Sequence, residues 1–277
     1  MFTLWIKFFI AAAIVVFSGY RICLAAEKLA QITKLGRSFV GFMFLAVITS
    51  LPELSVTISA TKIQALDLAL GDLFGSNLFN LTILAIIYLA FTKEKKLFNF
   101  DQVHIISSSV SILLIALAAM GIIFYNLFIP RIGYSRMFLD LETVLILMVY
   151  IFGAYLIFHS EKNKPSGAFS FKARELKHRL RIWLSFFFYG AVLVAAAVYL
   201  SKLGDKIAQI PVAGVALGGT FVGSLLIAII TSLPELSVAL SAVKLGSFDM
   251  ALGNIFGSNM FNMAIIPITD LVLGRKV

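Results

Sequence analysis

The sequence is poor in what soluble and secreted domains are built from. Only 13% of its residues are charged, about half the share of a soluble domain. It has one cysteine, Cys23, so no internal disulfide can form and a disulfide-stapled secreted fold is excluded. Cys23 reads as a small apolar residue of the first helix. The three histidines, His104, His159 and His178, show no metal-ligand spacing among them,. Long polar stretches are missing too, which excludes a large soluble domain or a soluble catalytic barrel.

What is there is apolar. Sixty per cent of the 277 residues are hydrophobic. A helix needs about 20 apolar residues to cross a bilayer, and about eight such stretches fill most of the chain. The expected spans are 3–25, 37–61, 67–91, 102–124, 138–159, 183–203, 212–243 and 249–273. The stretch 212–243 is too long for one straight span, and its part after Pro211 reads as a separate segment. The first stretch, Thr3 to Ala25, is too long for a signal-peptide core and lacks a clear cleavage site, so it reads as a retained membrane helix. The expected class is an all-α polytopic membrane protein.

The net charge of +9 would suit nucleic acid, but its placement points to the membrane and to no nucleic-acid partner. Most of the excess sits in short connections, where orientation signals belong. The longest polar connection, 161–182, carries Lys162, Lys164, Lys172, Arg174, Lys177, Arg179 and Arg181. By the positive-inside rule this loop is cytoplasmic and the N-terminus lies outside, as in a plasma (inner) membrane protein. The sequence leaves the oligomeric state open.

An internal repeat organises the chain. Residues 35–81 and 217–263 align without a gap at an offset of 182, and about 28 of 47 positions are identical. Many identities are polar, Gly or Pro, which shared hydrophobicity cannot supply. The chain divides into a first half, 1–160, with five helices, the basic loop 161–182, and a second half, 183–277, with three. An odd number of helices separates the copies, so they cross the membrane in opposite directions. That is the inverted-topology repeat of many secondary transporters.

Each copy sets a Thr-Ser-Leu-Pro-Glu run inside an apolar helix, Thr49 to Glu53 and Thr231 to Glu235. Ionisable residues at membrane depth are costly and by default functional. Thr and Ser lie four and three residues before the Glu, on one helix face. Pro52 and Pro234 cannot donate to the helix ladder, which frees carbonyls one turn earlier, near Ile48 and Ile230. Together these are hard oxygen ligands, suited to Ca2+ or Na+. The next helix of each copy adds Ser76 and Asn80, or Ser258 and Asn262, each pair four residues apart. Gly71 with Gly75, and Gly253 with Gly257, form small-xxx-small patterns that let helices approach closely.

Other residues read as structural. Asp67 and Asp249 stand at helix starts, where capping is the expected role. Lys62 and Lys244 read as interface anchors, and Arg21 and Glu27 as boundary residues that reach toward the headgroups. An intramembrane hydrolase could use paired carboxylates as acid and base, but no nucleophile elbow or zinc-protease motif accompanies them, so the chain is not expected to be an enzyme.

At these motifs the chain resembles the cation/calcium exchanger superfamily, the sodium/calcium exchangers and their bacterial and archaeal relatives. The resemblance implies an incomplete 5+5 exchanger fold whose last two helices are absent, with the two repeats as the family's α-repeats. It implies Ca2+/Na+ antiport by alternating access, with Ca2+/H+ antiport, or a non-transporting truncated relative that only binds cations, as alternatives. No cofactor is implied; Ca2+ and Na+ (or H+) are cargo. The implied ligands are Thr49, Ser50, Glu53, Ser76 and Asn80 with Thr231, Ser232, Glu235, Ser258 and Asn262, plus the backbone carbonyls of Ala46 and Ala228. Two further departures stand out. Ile48 and Ile230 replace the Gly usual before Thr-Ser. Asn stands at both 80 and 262, where some relatives have one Asp, while the second copy has Asn254 at the position matching Asp72. The first and sixth helices, nearly free of polar groups, are the expected moving element. Protonation of either glutamate removes charge that Ca2+ needs, so acid is expected to oppose Ca2+ binding.

Overall fold

The computed structural model describes residues 2–91, 101–132, 137–161, 179–210 and 227–273. Its described residues form helices joined by short turns. They are α1 (Phe2–Thr33), α2 (Arg37–Lys62), α3 (Leu66–Phe91), α4 (Gln102–Ile132), α5 (Met137–Glu161) and α6 (Arg179–Ala208), then α7 (Leu233–Lys244, led by a helical turn at 227–231) and α8 (Phe248–Leu273). Seven of the expected spans each fall on one of these helices; the span 212–243 is described only from residue 227 onward, as the helical turn and α7. Residues 211–226, where a separate segment after Pro211 was expected, lie outside the described residues, as does most of the 161–182 loop.

Six of these helices, α1 to α6, are long and apolar enough to cross a membrane. In α8, Asn254, Ser258, Asn259 and Asn262 dilute the apolar run, and all four are buried. Side chains that face outward are large and apolar instead. Phe9 and Phe17 on α1, Phe152 and Tyr155 on α5, and Phe187 and Phe188 on α6 are exposed. This is the inverse of a soluble surface and fits lipid contact.

Two apolar clusters make the core. One joins α1, α6 and α7 through Ile22, Ala26, Leu193, Ala197, Leu200 and Val238. The other joins α2 to α5 and α8 through Phe42, Leu73, Leu114, Ile146, Ile157 and Met263. Helices α2 and α8 contribute to both clusters, which places their polar residues between the two.

Close helix approach depends on glycine. A Cβ on Gly253 would run into the Ser38 carbonyl, and one on Gly41 into the Met250 carbonyl. On Gly257 it would lie 2.7 Å from Ala46 Cβ, and on Gly75 2.8 Å from Ala228 Cβ. Helices α2 and α8 therefore cross backbone to backbone, and Gly75 of α3 seats against the Ala228 side chain in the turn before α7. The turns that follow the two broken helices also match. Ala65 N–H donates to the Ala60 carbonyl at 2.9 Å, and Ser247 N–H to the Ala242 carbonyl at 2.8 Å. The left-handed position between them is Gln64 (φ 61°) in one copy and Gly246 (φ 72°) in the other, the residue type that tolerates it best.

Two sequence readings are corrected here. Glu27 is not a headgroup-seeking boundary residue; it is 1% exposed. Its Oε1 accepts from Arg37 Nε at 2.7 Å and also from Arg37 Nη2, and its Oε2 accepts from Ser247 Oγ at 2.6 Å. The chain turns back so soon after α1 that Arg37 meets Glu27 before either reaches water. Asp67 and Asp249 lie inside the first turns of α3 and α8 rather than at caps. Asp249 Oδ1 instead sits 2.9 Å from Nε2 of the buried His104. The start of α2 is satisfied from outside, since Glu161 at the end of α5 accepts the Phe39 N–H at 3.1 Å.

Candidate cation site

Both Thr-Ser-Leu-Pro-Glu runs break their helices at the same place. Ser50 has φ −90° and ψ 6°, and Ser232 φ −82° and ψ 7°. In each case the helix restarts one residue later with Pro in its first turn, where the missing N–H costs nothing. The break turns Thr, Ser and Glu inward. Thr49, Ser50, Glu53, Thr231, Ser232 and Glu235 are all fully buried. A five-residue π-helical stretch, Gly41–Leu45, precedes the first break; such stretches cluster at functional sites.

The contacts are reciprocal. Thr49 Oγ1 lies 3.2 Å from the Ala46 carbonyl, 3.3 Å from Asn254 Oδ1 and 3.2 Å from Ser258 Oγ. Thr231 Oγ1 lies 3.0 Å from the Ala228 carbonyl, 3.1 Å from Asp72 Oδ1 and 3.3 Å from Ser76 Oγ. Every atom in the second set is the first set's partner shifted by the repeat offset. A pair in which i meets j′ and j meets i′ is the mark of a two-fold relation. The pseudo-symmetry read from the sequence is thus present in the side-chain contacts. The carbonyls of Ala46 and Ala228 also accept the N–H of Ser50 and Ser232, both at 3.0 Å.

The asparagines follow the same rule. Asn80 Nδ2 donates to Asn259 Oδ1 at 2.9 Å, and Asn262 Nδ2 to Asn77 Oδ1 at 3.0 Å. The amide hydrogens are thereby used between α3 and α8. The Oδ1 atoms of Asn80 and Asn262 stay buried with no hydrogen-bond partner. Asn77, Asn259, Asp72 and Asn254 were not among the expected ligands. All four are buried beside residues that were.

The electrostatics are one-sided. Glu235 Oε1 accepts from Ser50 Oγ at 3.2 Å and from Ser258 Oγ at 3.3 Å. Among the described residues, its Oε2, both oxygens of Glu53 and Oδ2 of Asp72 have no hydrogen-bond partner. Arg37 is taken up by Glu27, and His104 lies against Asp249; among the described residues no basic side chain pairs with Glu53, Asp72 or Glu235. Buried charge without a partner is worth several kcal/mol of penalty per ion. Each Thr hydroxyl has one proton for three oxygen neighbours, so lone pairs exceed hydrogens throughout. A small hard cation is the group such a donor-poor oxygen cluster fits.

The departures at Ile48 and Ile230 have a place. A Cβ on Gly190 would sit 3.2 Å from Ile48 Cδ1, and one on Gly204 2.5 Å from Ile230 Cδ1. Both isoleucines point away from the oxygens and seat against glycines of α6.

The family model for the sodium/calcium exchanger protein matches residues 3–159 and 181–276. The chain belongs to that family. As a family member it is an integral membrane protein and a cation antiporter. Inner membrane protein YrbG of Escherichia coli is 28% identical over 253 residues, which is 91% of this chain and 74% of that protein. Sodium/calcium exchanger MaX1 of Methanosarcina acetivorans is 49% identical over 47 residues, 17% of this chain and 13% of its own length. The sodium-calcium exchanger NCX_Mj, soaked with 2.5 mM Na+ and 1 mM Sr2+, matches with a TM-score of 0.69 at 20% identity, covering 98% of this chain and 83% of that one. That likeness shows the exchanger fold, the all-helical architecture expected from the repeats.

Proposed function

We propose that the chain is a secondary active antiporter that exchanges Ca2+ for Na+ by alternating access at the site between α2, α3, α7 and α8. One observation carries the reading. Glu53 and Glu235 are fully buried, face hydroxyl and amide oxygens across a pseudo-two-fold, and have no basic partner among the described residues. Two carboxylates balance one Ca2+ or two monovalent cations, and they cannot hold both loads. Mutual exclusion at one site is what antiport needs. The family membership and the printed name of MaX1 support Ca2+ and Na+ as the ions.

The proposed ligands are the hydroxyls of Thr49, Ser50, Ser76, Thr231, Ser232 and Ser258, the carboxylates of Glu53 and Glu235, and the amide oxygens of Asn80 and Asn262. The carbonyls of Ala46 and Ala228 line the same cluster. Helices α1 and α6 pack along each other outside it and serve as the moving element. In this reading the N-terminus is outside and the 161–182 loop cytoplasmic.

The test is 45Ca2+ uptake into proteoliposomes holding the purified chain, under an outward Na+ gradient or an outward H+ gradient. Uptake driven by Na+ alone is expected. Uptake driven only by H+ replaces Na+ as the counter-ion. No uptake under either gradient overturns the antiport reading. Glu53→Gln and Glu235→Gln are each expected to abolish uptake while the protein still folds, and normal transport by either variant removes it from the site.

A further inference from the structure

We infer that the groove between the start of α1 and the end of α6 binds the phosphate headgroup of an anionic phospholipid. The inference is independent of the ion site and of the Ca2+ reading. It starts from a cavity of about 510 Å³, lined by Leu4 and Lys7 of α1 and by Tyr199, Lys202, Leu203 and Lys206 of α6. Positions 199, 202, 203 and 206 share one face of α6, and 4 and 7 are near neighbours along α1. Leu203 is buried, and Leu4 packs against the same apolar cluster. The leucines therefore join the two helices, with one lysine contributed by α1 and two by α6.

Three ammonium groups on one cavity repel one another, and Lys202 and Lys206 already do so as like charges four apart. Among the described residues none of the three is in an ion pair. Asp205 also lines the cavity, and its Oδ2 accepts from Gln209 Nε2 at 3.1 Å, one turn on along α6. Lysines that only anchor a helix end spread their charged tips into water. These three converge from two helices. An anion between them turns repulsion into attraction, through the charge-assisted hydrogen bonds that ammonium groups make to phosphate.

The other end of the same helix pair shows the contrast. There the Arg21 guanidinium lies 4.8 Å from the centroid of the Tyr189 ring, and Phe17 meets that ring edge-on at 6.4 Å. This cation is held by an aromatic face. The repeat offset of 182 carries Lys7 onto Tyr189 and Lys202 onto Tyr20. Rings stand in one half where lysines stand in the other.

The surroundings name the source of the phosphate. Phe2 and Phe9 beside the groove are 80% and 64% exposed, and such side chains face acyl chains. Trp5 and Tyr199 are part-exposed at the same level, and Trp and Tyr gather where headgroups begin. A basic pocket between membrane helices with apolar flanks suits a lipid headgroup. A headgroup held there bridges α1 and α6.

The experiment is native mass spectrometry of the purified full chain in detergent, titrated with phosphatidylglycerol or with phosphatidylcholine of the same acyl chains. Phosphatidylglycerol is expected to bind the unaltered chain more tightly. A lysine near an anionic headgroup is worth about fivefold in affinity, so Lys202→Gln with Lys206→Gln is expected to weaken phosphatidylglycerol binding about 25-fold and to leave phosphatidylcholine binding unchanged. The control pair Lys62→Gln with Lys244→Gln removes the same charge from exposed positions outside the cavity and is expected to bind as the unaltered chain does. Asp205→Asn is expected to bind phosphatidylglycerol more tightly, a gain that mere loss of helix packing would not give. Equal affinity for the two lipids overturns the proposal, and so does an equal loss in the two lysine pairs. Displacement of phosphatidylglycerol by inorganic phosphate at matched concentration overturns the lipid as the source.

Discussion

Asn77 and Asn259 make no claim on a cation, yet they decide which atom their neighbours present to one. Asn259 takes the amide hydrogens of Asn80, and Asn77 takes those of Asn262. An unrestrained asparagine could turn its NH2 toward the cluster and repel a cation. Groups that orient a ligand from behind are typically worth about 10–100-fold in affinity. Asn259→Ala is therefore expected to weaken Ca2+ binding about 10–100-fold without removing a ligand, measured by 45Ca2+ binding to the purified chain. An unchanged affinity would show that Asn80 is held by something else. The spacing argument could not find this pair. It selects residues four apart on one face, which picks Ser76 with Asn80 and Ser258 with Asn262. Asn77 and Asn259 lie about 100° round the helix and acquire their role only when α3 docks on α8. The Thr, Ser and Glu residues were legible because a polar run inside an apolar helix, repeated twice, has no cheaper explanation. Asp72 was legible only as an asymmetry.

At the scale of elements, the six long apolar helices α1 to α6 were plain in the hydropathy and the break at Thr-Ser was plain in the proline. The π-helical stretch at Gly41–Leu45 was not, because the register of backbone hydrogen bonds leaves no trace in apolar content. The isoleucines before each break show how an element records its partner. Ile230 fills the space left by Gly204 of α6, where a Cβ would come within 2.5 Å of its Cδ1. At Gly190 the matching gap to Ile48 is 3.2 Å, which a small shift absorbs. Gly204→Ala is thus expected to push α6 off α7, and overpacking of this kind costs about 1–3 kcal/mol. It should slow 45Ca2+ uptake several-fold, and Gly190→Ala much less. Adding Ile230→Ala to Gly204→Ala is expected to restore most of the rate, because it removes the atom that clashes. Failure of the second change to rescue the first would mean that α6 does not depend on that contact.

For the whole molecule, the question is what joins the helices that would move to those that hold the ions. Helix α1 lies against α6 and α7 through apolar side chains, contacts that slide at little cost because each is non-directional. Two contacts are different. Ser237 Oγ on α7 donates to the Val16 carbonyl of α1 at 3.1 Å. Glu27 of α1 binds Arg37 at the start of α2 and Ser247 in the turn before α8. The Glu27 cluster therefore ties the first helix to both repeats at once. It has no mirror image, since the positions matching Glu27 and Arg37 are Gln209 and Gly219. The repeat could not reveal it, and a carboxylate at the end of an apolar stretch resembles a boundary residue until the chain is seen to fold back. Removing one member of a buried pair strands the other charge, which costs about 3–5 kcal/mol, whereas replacing both with apolar groups of similar volume is often neutral. Arg37→Met is accordingly expected to lower thermal stability in detergent by an amount in that range. Glu27→Leu with Arg37→Met should recover most of the loss, short of what the stranded Ser247 hydroxyl takes. If the double variant unfolds as early as the single one, the pair acts through the shape of its side chains rather than through its charge. If the single variant is as stable as the unaltered chain, α1 is not anchored there.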